Sequence, residues 1–266
     1  MIKYLFVIFL CLAVFLPMGI PPAAGAALHQ QTISYRQGDE VLKGYLAYDR
    51  AIKGPRPAVL VVHEWWGLND YIRRRVNQLA ELGYIAFAAD IYGNGFVAKD
   101  PQEAGKYAAK YRENRPLLRD RAIAGLNALM EQPLADKRRV AAIGYCFGGT
   151  AVLELARAGA PISGVVSFHG GLDTPAPDDA KNIRGKVLAL HGADDTFVPP
   201  AQVAAFQEEM RKAKVDWQMV LYGGAVHSFT NPDSGSDPSK GVAYNEKADR
   251  RSWEHMKIFF AELFRR

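Results

Sequence analysis

A mostly parallel β-sheet with helices on both faces is the fold class this sequence predicts, and three observations carry it. Short continuous apolar runs alternate with longer segments whose apolar residues recur at helical spacing, the pattern of βαβ units. A segment of strict polar–apolar alternation precedes them. The polar residues of chemical interest fall just past the ends of the apolar runs, where ligands meet sheets of this kind. With 266 residues, 49% of them hydrophobic, the chain can bury one substantial core in a single domain.

Residues 32–36 and 43–49 alternate in polarity around Gln37-Gly38-Asp39 and predict an antiparallel hairpin. Residues 57–62 and 84–89 are apolar runs of the type covered on both faces. Residues 70–82 join them as a helix, with Ile72, Val76, Leu79 and Leu82 on one stripe and Gly83 as its stop. Two further helices are predicted over 101–111 and 116–130. The apolar run Val140-Ala141-Ala142-Ile143 is the next strand and leads through a glycine-rich turn into the helix-like segment 151–156. Strands over 163–168, 186–191 and 217–222 and helices over 200–213 and 244–264 complete the chain. The longest loops are 170–185 and 231–242, and no internal repeat is present.

Lys3, the uncharged apolar stretch 4–16 and the small residues Ala24-Gly25-Ala26 have the layout of a cleavable export signal. Residues 1–26 are therefore expected to be a signal peptide, residues 27–266 a single domain, and the protein periplasmic or secreted. Pro17, Pro21 and Pro22 interrupt the apolar stretch, so no permanent membrane anchor is expected. Removing residues 1–26 takes away one lysine and no acid, so the formal charge falls from +5 to +4. The basic residues are dispersed apart from three short clusters, and nothing resembles a nucleic-acid-binding module. A monomer is expected. Cys11 lies within the signal, which leaves Cys146 as the only cysteine of the exported chain. No internal disulfide is then available, and the lone thiol asks for a chemical explanation.

That explanation lies in Gly144-Tyr145-Cys146-Phe147-Gly148-Gly149, between a strand and a helix. Glycines two residues before and after the cysteine permit a sharp strand-to-helix turn that projects a nucleophile from the sheet edge. The start of the following helix favours a thiolate and offers free N–H groups to an oxyanion. A small buried cysteine in a glycine-rich turn is the plainer alternative. His227 follows a strand in Gly223-Gly224-Ala225-Val226-His227 and is the candidate base. His63, His169 and His191 also sit at strand ends and read as structural histidines. Asp195 can hold the imidazole in one tautomer, whereas its neighbour Asp194 is assigned to capping the helix that follows. The order nucleophile, acid, histidine is that of the α/β-hydrolases. In that fold the second oxyanion donor comes from the loop after the third strand, here Trp65, whose N–H would pair with that of Phe147. Glu64, a carboxylate beside the expected reaction centre, is unusual.

At these residues the sequence resembles the dienelactone hydrolase family, carboxymethylenebutenolidase-like, over residues 33–264. The resemblance rests on Glu64-x-x-Gly67, Asp90-Ile91-Tyr92, the elbow at Cys146, the turn from Gly192 to Pro199, and His227-Ser228-Phe229. It implies an α/β-hydrolase fold with Cys146 as nucleophile, His227 as base and Asp195 as its orienting acid. It further implies that Glu64 contacts the resting thiol or helps generate the thiolate when substrate binds. The family's lactone-cleaving enzyme is expected to carry arginines four residues after its counterparts of Asp90 and His227, where this chain has Asn94 and Asn231. If those asparagines meet substrate, neutral esters should compete well with anionic ones, since an amide cannot supply a cationic fork. A cation from Arg73–Arg75, Arg112 or Arg115 in the flanking helices would reverse that expectation.

The function predicted is hydrolysis of a small-molecule ester or lactone through an acyl-enzyme, with no metal or organic cofactor. There are two alternatives, of which only the first keeps the same catalytic residues. One is an amidase or peptidase, and the other is a non-enzymatic thiol module for binding or redox sensing.

Overall fold

Successive side chains of the strand Arg56–Val62 (β3) enter opposite cores: Ala58, Leu60 and Val62 face one, Val59 and Val61 the other. A continuous apolar run is what such a doubly covered strand requires. In the computed structural model, which describes residues 27–265, β3 lies in the middle of an eight-stranded sheet. The expected signal segment 1–26 lies outside the described residues.

The hairpin Leu28–Gln37 (β1) and Glu40–Asp49 (β2) forms one edge, turning at Gly38 and Asp39. The remaining strands are Ile85–Ala89 (β4), Ala135–Tyr145 (β5), Gly164–Phe168 (β6), Lys186–Gly192 (β7) and Trp217–Tyr222 (β8). Their order is β1-β2-β4-β3-β5-β6-β7-β8, parallel from β4 onward and antiparallel on the hairpin side. Helices Asp70–Glu81 (α1) and Glu246–Leu263 (α6) cover one face. Pro101–Arg112 (α2), Arg115–Met130 (α3), Phe147–Arg157 (α4) and Pro200–Lys212 (α5) cover the other. Among the described residues no helix is long and apolar enough to cross a membrane.

Three details differ from the sequence reading. β1 is twice the predicted length, because an edge strand with one solvated face continues through polar residues such as Gln30 and Gln31. β5 starts at Ala135, and its register against β3 shifts between Pro57 and Ala58, so that 137–139 bulge out of the ladder. Asp194 caps nothing: α5 begins after Pro199, a residue with no side-chain acceptor to offer, and Asp194 is exposed. Pro200 opens the helix without a side-chain cap because its missing N–H removes one of the unsatisfied donors.

The end of α4 is held by a buried ion network. Arg157 donates to both carboxylate oxygens of Glu209 on α5, at 2.7 and 2.8 Å, and to Glu154 at 3.0 Å. Such bidentate pairs fix orientation as well as distance. The helix whose N-terminus faces the candidate site is thereby tied to its neighbour.

Candidate active site

β5 ends at Tyr145 and α4 starts at Phe147, so a single residue, Cys146, makes the turn, with φ 52° and ψ −113°. A non-glycine side chain rarely adopts this backbone, and it persists only where the surroundings dictate it. Here they do. A Cβ on Gly144 would collide with the carbonyl of Gly148, and one on Gly148 with the carbonyl of Val62 at the end of β3. The two glycines let helix and strands close around the cysteine. Gly149 then returns the first bond of the turn, donating to the Cys146 carbonyl at 3.0 Å.

Three candidate residues meet at this turn. His227 Nε2 lies 3.0 Å from Cys146 Sγ, and His227 Nδ1 lies 2.8 Å from Asp195 Oδ2. The other Asp195 oxygen accepts the Phe197 N–H at 2.9 Å, and its side chain is fully buried. Both imidazole nitrogens therefore have a hydrogen-bonding partner, the carboxylate at Nδ1 and the sulfur at Nε2. Burial alone would lower the His227 pKa. The interactions with the Cys146 sulfur and the Asp195 carboxylate outweigh it and raise the value to about 10. Since this lies above the ordinary 6.5, the stabilisation of protonated His227 by its partners is complete below about pH 6.5 and is lost as the pH rises through about 10.

The oxyanion loop is oriented through its carbonyls. His63 Nε2 accepts the Ile91 N–H at 3.2 Å, so its proton sits on Nδ1 and is donated to the Glu64 carbonyl at 2.6 Å. The Gly67 N–H reaches the same carbonyl at 3.3 Å. In a trans peptide the following N–H points the opposite way, so holding the Glu64 carbonyl aims the N–H of Trp65. The Tyr92 hydroxyl fixes the next peptide by donating to the Trp65 carbonyl at 2.8 Å. Among the described residues neither the Trp65 nor the Phe147 N–H has an acceptor. Two free donors beside a nucleophile are the parts of an oxyanion hole.

Glu64 makes no hydrogen bond to the thiol. It is buried, and its two oxygens accept from the Ser228 hydroxyl at 2.8 Å and the Asn231 amide at 2.7 Å. Burial raises its pKa, against the pull of those two donors. The thiol's partner is His227. Asn231 thus gives one amide N–H to Glu64 while also lining the cavity over Cys146. Asn94 does not reach the site: it is exposed in a turn at φ 53°, with its N–H on the Val41 carbonyl of the hairpin.

A cavity of about 720 Å³ opens over Cys146 and His227. Trp65, Trp66, Val97, Phe197 and Val242 supply apolar walls, and Lys99, Arg112 and Asp233 the charges. Of the arginines considered from sequence, Arg74 pairs with Asp233, Arg75 with Asp249 and Arg115 with Asp173, while Arg73 lies over the Tyr45 ring. Arg112 alone among them both lines the cavity and, among the described residues, lacks an acidic partner. Lys99 and Phe197 escaped the sequence reading; Phe197 was within reach as part of the Gly192–Pro199 turn. Among the described residues no group of three or more His, Cys, Asp or Glu is placed to hold a metal ion.

A cysteine elbow at the centre of an eight-stranded, mostly parallel sheet, with acid and histidine arriving on later strands, defines an α/β-hydrolase. A profile of the dienelactone hydrolase family matches residues 42–264, and the chain belongs to that family. Protein usf of Aquifex pyrophilus is 31% identical over 237 residues, covering 87% of this chain and 98% of the relative. Among solved structures, m3DLH superposes with a TM-score of 0.87 at 41% identity, covering 90% of this chain and all of that one. A dienelactone hydrolase-like promiscuous phosphotriesterase from metagenomic libraries superposes at 0.86 with 43% identity, covering 91% of this chain and all of the other. The chain is accordingly a dienelactone hydrolase-like hydrolase, and the non-enzymatic alternative falls away.

The charge relation between His227 and Cys146 can be measured by NMR titration of the imidazole. In the wild type it should titrate near pH 10, and in Cys146→Ala at a clearly lower pH, because one of the two negative groups is gone. The same titration in both proteins would show that the sulfur carries no charge there.

Proposed function

We propose that the protein hydrolyses small carboxylic esters or lactones by a cysteine-based acyl-transfer mechanism. The single observation that carries this reading is the continuous contact from Asp195 through His227 to Cys146, at 2.8 and 3.0 Å. The Cys146 thiolate attacks the carbonyl carbon, and the carbonyl electron pair moves to oxygen, where the N–H groups of Trp65 and Phe147 receive it. Collapse of this adduct breaks the carbon–oxygen bond of the ester, and the departing alkoxide takes the proton from His227 Nε2. A thioester on Cys146 remains, and neutral His227 then removes a proton from water as it attacks. That proton restores the imidazolium, and the second adduct collapses with cleavage of the carbon–sulfur bond, expelling the thiolate and releasing the carboxylic acid. Asp195 keeps Nδ1–H in place throughout and stabilises the charged ring.

Cys146→Ala should remain folded and lose about a thousandfold or more in ester turnover, the loss typical of a triad nucleophile. Turnover retained by the folded variant would remove the cysteine from the mechanism.

Arg112 and Lys99 also alter the expected substrate charge. With Asn94 outside the cavity, Asn231 engaged by Glu64 at its wall and Asp233 paired with Arg74, these two are the cations of the cavity without an acidic partner among the described residues, and they favour an anionic substituent. Both are exposed, so each contributes modestly. For two substrates differing only in a free carboxylate or its methyl ester, Arg112→Gln should lower kcat/KM for the carboxylate about three- to tenfold and leave the methyl ester nearly unchanged. Equal effects on both would show that Arg112 does not read charge.

A further inference from the structure

His169 and Thr230 lie behind the candidate site and take no part in the mechanism above. Both are fully buried, and neither lines the cavity. His169 follows β6 with φ 40°, a conformation that non-glycine residues seldom adopt, and its N–H is fixed on the Leu190 carbonyl at 2.8 Å. Its Nδ1 accepts the backbone N–H of Cys146 at 3.1 Å, an N–H shared with the Phe168 carbonyl at 3.0 Å. With Nδ1 accepting, the ring proton is on Nε2, which donates to Thr230 Oγ1 at 2.7 Å. Burial keeps this imidazole neutral, well below its ordinary pKa, and so preserves the tautomer.

Thr230 stands three residues after His227. Its hydroxyl also meets the Tyr71 hydroxyl at 2.6 Å, and its carbonyl accepts from Arg75 at 2.7 Å. The neighbouring residues of the same loop, Ser228 and Asn231, are bound to Glu64. The loop carrying the histidine is therefore held from the oxyanion side by Glu64 and from the nucleophile side by His169. Only the second connection touches the backbone of Cys146.

We propose that His169 and Thr230 form a positioning bridge that sets the separation of Cys146 and His227 by tying the nucleophile's backbone to the loop bearing the base. The bridge rests on the cysteine–histidine mechanism proposed above. A contact between reacting groups is sensitive to displacements of a fraction of an ångström, while substrate binding in the cavity is not touched by a residue behind it. The bridge therefore acts on kcat and not on KM.

The test uses Thr230→Val, which keeps the shape and removes the hydroxyl, and Thr230→Ser, which keeps the hydroxyl. His169→Asn is the third variant. Asparagine tolerates the left-handed backbone and can still accept the Cys146 N–H, but it is too short to reach Thr230. In each, kcat and KM are measured separately on a neutral ester, together with the pH profile of Cys146 alkylation by iodoacetamide. Thr230→Val and His169→Asn should each lower kcat about tenfold or more with KM within about twofold, and displace the alkylation profile from that of the wild type. Thr230→Ser should recover kcat to within about threefold. Wild-type kcat and alkylation in Thr230→Val would overturn the bridge, as would equal losses in Thr230→Val and Thr230→Ser. Should Thr230→Val fail to fold, His169→Asn decides, and wild-type kcat and alkylation in it overturn the bridge. Cys146→Ala separates the two readings: turnover retained by it removes the parent mechanism, whereas its loss alongside an unaffected Thr230→Val removes only the bridge.

Discussion

The left-handed backbone at Cys146 is the constraint on which the rest of the site depends. A strand must become a helix within one residue, and only glycine at 144 and 148 leaves room for the helix to start against the end of β3. The closure has two chemical consequences. It presents the sulfur at the sheet edge, and it places the first N–H of α4 where no carbonyl can use it. A more relaxed turn would free the glycines and lose both.

Around that turn, most of the fixing is done by buried polar side chains, acting on backbone or on one another. His63 and Tyr92 orient the peptides on either side of Trp65, His169 takes the N–H of Cys146, and Glu64 holds the loop of His227 through Ser228 and Asn231. Breaking one such bond leaves a buried donor or acceptor unsatisfied, which typically costs about 1–3 kcal/mol. Burial that makes the bonds expensive to break also keeps His63 and His169 uncharged, so their tautomers remain those the bonds require.

The sheet was legible in the sequence because doubly covered strands such as β3 and β4 carry no polar interruption, and the helices between them keep one apolar stripe. The positions of Cys146, Asp195 and His227 past their strands followed from the same pattern. What could not be read were contacts set by the tertiary path. Glu64 meets Ser228 and Asn231 across more than 160 residues of chain, and nothing local distinguishes a carboxylate aimed at its own loop's partners from one aimed at the thiol. Asn94 illustrates the limit of transferring a position by spacing: a left-handed turn after Asp90 directs it toward the hairpin. The expected cap at Asp194 failed because a proline-initiated helix can do without one. The place of His169 at the end of β6 is legible in the sequence, but its tie to Thr230 depends on two loops meeting behind the sheet edge.

Covalent catalysis by Cys146 is the central claim, and it is tested most directly by mass spectrometry of enzyme acid-quenched during turnover of a slowly deacylated ester. Acyl transfer predicts a mass increase equal to the acyl group, confined to the peptide containing Cys146 and vanishing as substrate is exhausted. Steady turnover with that peptide unmodified, or with the acyl group on another residue, would contradict it.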